Sequence, residues 1–243
     1  MLRRGVLGYV LVLAGGLVVS VLPRSSVVAG LPLLEGLRSS TAGRMLGLAV
    51  VVVGLGMASS AWLRLVRASA DVRVPEADRM GVVHRATMAW SLPLLLAPPL
   101  FSRDGWSYAA QGVLTHLGLS PYVWTPSILD GQVVEAVDPM WISTATPYGP
   151  LPLVWGSAAA GLTIDPWLLV VAHRVLALVG LAMLAWAVPR LCRWSGVDGP
   201  RATALVVASP LVLAHGVGGV HNDLLMAGLA AVALVLRSEE HTS

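Results

Sequence analysis

The fold of this 243-residue chain is most constrained by a series of long apolar segments separated by short polar stretches. A helix needs about 20 apolar residues to cross the hydrocarbon layer of a membrane, and several segments approach that length. Hydrophobic residues make up 56% of the sequence and charged residues only 12%, which argues against a soluble domain. We predict an all-α, polytopic transmembrane protein whose spans cover residues 5–22, 42–63, 86–101, 167–188, 202–219 and 224–236.

Arginines between the second and third predicted spans set the predicted orientation. Residues 64–85 contain five arginines, and the positive-inside rule places such a loop in the cytoplasm. The amino terminus is then cytoplasmic, with the first span as a retained anchor, and Asp104 emerges on the outer face.

Two topologies are open for the second half of the chain. Residues 102–150 form a large extracytoplasmic loop, and residues 151–164 are too short to span comfortably. If the arginine-containing stretch 190–201 is cytoplasmic, as its charge favours, residues 151–164 form a shallow or re-entrant segment, and His221 faces the same side as Asp104. In the alternative, residues 151–164 and 167–188 both cross, and those arginines lie outside.

The last seven residues, RSEEHTS at 237–243, replace an apolar pattern with charge. Their back-translation matches the start of a sequencing adapter, so we interpret them as a non-native tail. We therefore expect the natural protein, a single multi-pass membrane domain over residues 1–236, to continue past Leu236.

Charge and cysteine content exclude several classes of function. The formal net charge of +3 is spread over loops without a basic stripe, which argues against a nucleic-acid partner. The single cysteine, Cys192, excludes an intramolecular disulfide and a cysteine-rich metal site.

The outer loop begins with a predicted amphipathic helix over residues 105–117. Apolar side chains recur on one side of it at helical spacing, and Asp104 stands at the expected N-cap. We predict a short interfacial helix lying along the membrane surface.

Aromatic residues are enriched in the outer loop, which contains three tryptophans and three of the four tyrosines, including Trp106, Tyr108 and Tyr148. Aromatic rings stack on the apolar faces of sugars, which favours a glycan site. The alternative is an aromatic belt at the membrane interface.

Three charged positions are candidates for chemistry. Asp104 is either a helix cap or a general base at the membrane boundary, and Arg103 beside it is either an ion-pair partner or a phosphate contact. Arg174 lies inside an apolar span, where a charge is costly and indicates function, unless its side chain snorkels to the headgroups.

The triplet His221, Asn222 and Asp223 is either a polar turn between two spans or part of the same site. His215 precedes His221 by six residues with no acidic residue at helical metal spacing, so a zinc site is weakly supported and no metal is predicted.

Four stretches taken together resemble a known family: RDGWSYAAQG, GLSPYVW, VDPMWISTATPYGPLPL and SPLVLAHGVGGVHNDLLMAGL. They are similar to the actinobacterial polyprenol-phosphomannose-dependent α-1,6-mannosyltransferases, polytopic enzymes of the glycosyltransferase C class. The resemblance covers about residues 101–229, and it implies additional spans beyond the end of this chain. It assigns the catalytic acidic residue of the first large outer loop to Asp104, although Gly105 and Trp106 stand where the family more often has valine and tyrosine.

The resemblance implies a specific reaction with no cofactor. Mannose would move from a polyprenyl-phosphate-mannose donor to the 6-hydroxyl of a mannan glycolipid of the lipomannan type, with inversion at C1. Asp104 would be the base, and the expected substrate-binding residues are Arg103, Trp106, Tyr108, Tyr148, Arg174, His221, Asn222 and Asp223. The alternatives are a lipid or solute transporter or flippase, a non-catalytic membrane scaffold, and a transferase for another lipid-linked sugar.

Overall fold

Residues 1–240 are described by a computed structural model, and this range contains helices and connecting segments but no β-strand. The all-α prediction is confirmed. The α-helices are α1 (Leu2–Val19), α2 (Pro32–Ser39), α3 (Thr41–Ser69), α4 (Glu76–Ser91), α5 (Asp104–His116), α6 (Pro139–Ile142), α7 (Pro150–Ala160), α8 (Pro166–Ser195), α9 (Gly199–Val206) and α10 (Asn222–Glu240). Residues 241–243 of the predicted non-native tail lie outside the described residues.

Three helices within residues 1–240 are long and apolar enough to cross a membrane, namely α1, α3 and α8. A fourth crossing is formed if α9 and the π-helical segment Leu211–Val217, which are bent by 46° relative to each other, act as one span. The fold is therefore that of a helical membrane protein, and the predicted segments 5–22, 42–63 and 167–188 overlap the three long helices.

Prolines interrupt two of the predicted spans. Residues 86–101 are not one helix, because α4 begins at Glu76, ends at Ser91 and continues only as a 3₁₀ turn over Leu92–Leu96. Pro98 and Pro99 follow this turn, and proline cannot donate the backbone hydrogen bond that a helix needs. Pro210 similarly separates α9 from the π-helical segment within the predicted span 202–219.

Small residues bring α1 and α3 into close contact. A Cβ atom added to Gly8 would lie 2.7 Å from the Gly54 carbonyl oxygen, and one added to Gly15 would lie 2.6 Å from that of Gly47. Glycine seams of this kind let membrane helices approach closely, so van der Waals contact holds the pair together.

Helix α5 is buried against other helices, so its apolar side chains pack on protein, a contact that the sequence did not predict. It packs against α7 and α8, and its residues Gly105–Gly112 are all buried. Helix α7 has 11 residues and is about 16 Å long at 1.5 Å per residue, which is too short to cross a hydrocarbon layer of about 30 Å.

Where α3, α4 and α9 meet, the buried Arg79 connects the three helices. Arg79 Nη1 donates to Asp198 Oδ2 and to the Ser69 carbonyl, both at 2.7 Å. Asp198 also caps α9 by accepting from the Arg201 N–H at 2.9 Å. Burial acts to raise the pKa of Asp198, but the hydrogen bonds from Arg79 and Arg201 outweigh it and hold that pKa below its usual value.

Replacing Arg79 by methionine is expected to destabilise the protein by about 2–3 kcal/mol, because a partly buried carboxylate and a buried carbonyl lose their donor. Thermal unfolding of the detergent-solubilised protein measures this effect. Arg73→Met is the matched control, because the Arg73 guanidinium pairs with Asp71 while 87% exposed, and such pairs contribute little. Equal unfolding temperatures for the two variants would contradict the assignment.

Candidate active site

Asp104 is the first residue of α5, and its side chain does not cap the helix. Arg103 occupies the N-cap position, and the Ser102 hydroxyl oxygen accepts from the Asp104 N–H at 3.0 Å. The prediction of Asp104 as the N-cap is therefore wrong. The Ser102 hydroxyl accepts a hydrogen bond from an N–H at the start of α5, so the Asp104 carboxylate is free to contact other residues.

Two side chains from distant parts of the sequence converge on that carboxylate. Trp141 Nε1 donates to Oδ1 at 3.0 Å, and His221 Nδ1 lies 3.5 Å from Oδ2. The Asp104 side chain is 21% exposed. One oxygen is thus fixed by an indole N–H, and the other faces an imidazole at an opening to the surface.

His221 is held in a polar cluster of its own. Its ring packs edge to face on His215 with centroids 4.3 Å apart, and its Nδ1 lies 3.9 Å from Asp223 Oδ2. Burial and the neighbouring His215 lower the pKa of His221, against the opposing effect of Asp104 and Asp223. The imidazole is therefore neutral at pH 7, and its Nε2 is buried without a hydrogen-bond partner in the described part of the chain.

An unusual backbone conformation positions His221. The preceding residue, Val220, has φ of 61°, and a β-branched residue in this left-handed region is strained. The His221 N–H donates to the Gly216 carbonyl at 3.1 Å, which closes the turn. Strain of this kind persists only where surrounding contacts fix it, and here it directs the imidazole toward Asp104.

A pair of tyrosines lies on the inner side of the carboxylate. The Tyr108 hydroxyl donates to the Tyr148 hydroxyl at 2.9 Å, and the rings meet edge to face. Burial, followed by the hydrogen bond with Tyr148, raises the pKa of Tyr108 well above its usual value, so this hydroxyl stays protonated. The cavity between these rings, Asp104 and Trp141 has a volume of only about 10 Å³, which is room for a water molecule but not for a sugar.

Arg174 is hydrogen-bonded to backbone carbonyls inside the protein, and this geometry does not support the predicted substrate contact. Four of its five N–H groups donate to backbone carbonyls, those of Leu95, Ala97, Val217 and Gly218, at 2.7–3.3 Å. The guanidinium is fully buried. Arg174 therefore ties α8 to the segment before α5 and to the end of the π-helical segment.

Trp106 also lies in the core. It is fully buried, it packs against Trp167 with ring centroids 6.2 Å apart, and its Nε1 donates to the Val21 carbonyl at 3.2 Å. Both faces of the indole are enclosed, so the predicted stacking on a sugar is not supported by this geometry.

Arg103 remains as the accessible cation beside Asp104. Its Nε lies 3.7 Å from Asp138 Oδ2, and both side chains are about one-third exposed. The remaining predicted residues lie at the start of α10, where Asn222 is buried and the Asp223 side chain is exposed. The structure thus brings Asp104, Tyr108, Tyr148 and His221 into one cluster, with Arg103 and Asp223 at its edge.

Two contacts of the cluster are not predicted by the sequence. The first is that of Trp141, whose position is fixed by the helix start at Asp138–Pro139 and whose half-buried indole N–H needs an acceptor. The second is the contact between His215 and His221, which lie six residues apart. The chain between them leaves the π-helical segment and turns, and this brings the two rings together. Among the described residues, no group of three or more His, Cys, Asp or Glu side chains is arranged to hold a metal ion.

The three membrane-length helices and the polar cluster around Asp104 define a helical membrane protein with a candidate polar site. The chain belongs to the family described as α-(1→6)-mannopyranosyltransferase, N-terminal domain, whose sequence profile matches residues 2–243. The resemblance noted from the sequence is therefore confirmed. No solved structure matches the chain significantly.

Curated relatives come from actinobacteria. An α-(1→6)-mannopyranosyltransferase A of Mycobacterium tuberculosis is 39% identical over 243 residues, covering 96% of this chain and 45% of that protein. Two proteins of Corynebacterium glutamicum, α-(1→6)-mannopyranosyltransferases A and B, are 35% and 30% identical, each over 77% of this chain and over 39% and 33% of their own lengths. The chain spans less than half the length of each of these relatives.

Proposed function

We propose that this chain forms the catalytic, amino-terminal part of a mannosyltransferase in the cell membrane. The enzyme moves mannose from polyprenyl-phosphate-mannose to the 6-hydroxyl of a growing α-1,6-mannan, at the outer face and with inversion. The observation that carries the proposal is the partly exposed Asp104 carboxylate, which Trp141 contacts at one oxygen while His221 lies 3.5 Å from the other. The relatives' names support the sugar and the linkage.

In the proposed reaction, Asp104 acts as general base. Its Oδ2 takes the proton from the acceptor 6-hydroxyl, and that oxygen attacks C1 of the donor mannose. The bond between C1 and the phosphate oxygen breaks, and polyprenyl phosphate leaves with the electron pair. Attack on the face opposite the leaving group inverts the configuration, so a β-linked donor gives an α linkage.

Arg103 is the group suited to stabilise the departing phosphate. Charge develops on phosphate oxygens as the C1–O bond breaks, and a fixed guanidinium at that point lowers the barrier. Arg174 is engaged by backbone carbonyls, whereas Arg103 has only a long contact to Asp138. The half-buried Tyr148 and the exposed Asp223 can supply a hydroxyl and a carboxylate to sugar hydroxyls at the edge of the cluster. The buried Tyr108 instead positions Tyr148 through their hydrogen bond.

Charge supports the proposed orientation. The arginines at 64–85 favour the cytoplasm for the α3–α4 connection. The proposal then requires α4 and the 3₁₀ turn over Leu92–Leu96 to cross the membrane together, so that Asp104 lies on the outer side. An outward-facing site needs a donor that crosses the membrane as a lipid, and polyprenyl phosphate meets this need because its chain stays in the bilayer.

Incubating membranes that contain the complete protein with radiolabelled polyprenyl-phosphate-mannose and an α-1,6-oligomannoside tests the proposal. Label in a longer oligosaccharide with a new α-1,6 linkage supports it. Label that moves across the vesicle membrane while still on the lipid indicates a flippase instead. An unchanged donor on both sides removes both functions and favours a scaffold.

The His221 imidazole is expected to shape the acid side of the activity profile. Its lowered pKa keeps it neutral at pH 7, and protonation at lower pH would place a positive charge against Asp104 and weaken the base. We expect kcat/KM to fall as the pH decreases, with an inflection below the usual histidine value of about 6.5. His221→Gln should remove that inflection, and an identical profile in the variant would exclude His221 as its source.

A further inference from the structure

Phe101 stands where two apolar grooves meet beside the candidate active site. The first, here called the Arg103 groove, has a volume of about 370 Å³ and lies between the outer ends of α1 and α3 and the segment 99–103. The second, the His215 groove, has about 380 Å³ and lies between α3 and residues 210–215. Both volumes are in the range of about 300–1,000 Å³ found for ligand pockets, and Phe101 lines both.

The backbone holds the Phe101 ring outward at a cost. Its φ of 66° lies in the left-handed region, which a residue with a bulky side chain rarely adopts. Neighbouring contacts enforce it, because the Leu100 N–H donates to the Gly218 carbonyl at 3.1 Å and Arg174 binds the Ala97 carbonyl at 2.7 Å. Strained residues cluster at ligand sites, and here the strain keeps the single phenylalanine of the chain 56% exposed.

The Phe101 ring also connects the grooves to the polar cluster. It packs edge to face on His215 with centroids 6.1 Å apart, and His215 packs in turn on His221 beside Asp104. Arg103 lines the first groove only two residues away. The Arg103 groove is mostly apolar and carries the Arg103 guanidinium, with Asp138 3.7 Å from it, at one end. A groove with a guanidinium at its end matches a lipid chain that carries a phosphate at its head.

We propose that the Arg103 groove binds the phosphate-proximal isoprene units of a polyprenyl phosphate and that Phe101 selects this carrier over straight-chain lipids. Methyl-branched, unsaturated units present flat faces to an aromatic ring and fill the space beside it, whereas a straight saturated chain leaves gaps there. Phe101 lines both grooves, so we expect its replacement by alanine to widen the opening between them. The inference rests on the proposed function for the identity of the sugar.

Donor selectivity in the complete protein tests this role. With mannosyl donors of equal carbon number, one isoprenoid and one straight-chain, Phe101→Ala should lower kcat/KM for the isoprenoid donor about tenfold and leave the straight-chain donor within twofold. Leu117→Ala is the matched control, because Leu117 is similarly exposed, at 58%, and lines neither groove. An equal loss for both donors, or none for either, overturns the assignment of selectivity to Phe101.

A binding measurement decides the groove assignment without turnover. A diazirine-bearing polyprenyl phosphate should label the peptide containing residues 99–103, less so in Phe101→Ala, and unlabelled polyprenyl phosphate should compete. Equal competition by straight-chain phosphatidylglycerol vesicles would identify a general lipid groove and overturn the proposal. Specific labelling in a wild-type protein that transfers no mannose would reject the proposed function and leave the polyprenyl phosphate site standing.

Discussion

Replacing Asp104 by asparagine is expected to reduce kcat for mannose transfer about 10³-fold, because an amide cannot accept the proton of the acceptor hydroxyl. The fold should not change. The amide oxygen of asparagine can still accept from Trp141 Nε1, which contacts Asp104 Oδ1 at 3.0 Å in the parent protein. Transfer from radiolabelled polyprenyl-phosphate-mannose by purified, reconstituted protein gives the rate, and thermal unfolding checks the fold.

The matched control is Asp130→Asn, which makes the same chemical change in the same outer loop. Asp130 is exposed and at a distance along the chain from the Asp104 cluster, so this variant should retain the parent rate within twofold. Asp104→Glu separates charge from position, because it keeps the carboxylate but moves it by one methylene group. Its rate should lie between that of the parent protein and that of the asparagine variant. Full turnover by Asp104→Asn would remove Asp104 from the mechanism.

The helical class, the regions of the long spans and the choice of Asp104 as the candidate base follow from the sequence because each has a local signal. Apolar length sets α1, α3 and α8 independently of their neighbours. Asp104 is prominent because an acid directly follows an apolar segment. Proline positions are a further local signal, since Pro98 and Pro99 end the helical path inside the predicted span 86–101.

The roles of buried polar side chains could not be predicted, because they depend on long-range contacts. Arg174 has the sequence signature of a functional intramembrane charge, yet the carbonyls freed by the 3₁₀ turn and the end of the π-helical segment satisfy it. Those carbonyls lack helical partners only because both elements are irregular. Likewise, the amphipathic pattern of α5 fits a membrane surface equally well as a groove between α7 and α8, and periodicity alone does not distinguish them.

Long-range contacts also distinguish Arg103 from Arg174, although the sequence predicts a substrate contact for both. Arg103→Gln should lower kcat about a hundredfold, because the variant loses the positive charge that stabilises the leaving phosphate. KM for the donor should change less, since the charge on that phosphate grows as the C1–O bond breaks. Steady-state kinetics with purified, reconstituted protein separates the two parameters.

Variants of other arginines make this prediction specific. Arg103→Lys should recover part of the rate, because it keeps the charge but loses the planar pair of donors. Arg193→Gln, at the exposed far end of α8, should match the parent. Arg174→Gln should instead lower the unfolding temperature, since four backbone carbonyls lose their shared donor. A parent-like rate in Arg103→Gln would show that another group stabilises the phosphate charge. It would also contradict the assignment of the donor phosphate to the Arg103 groove.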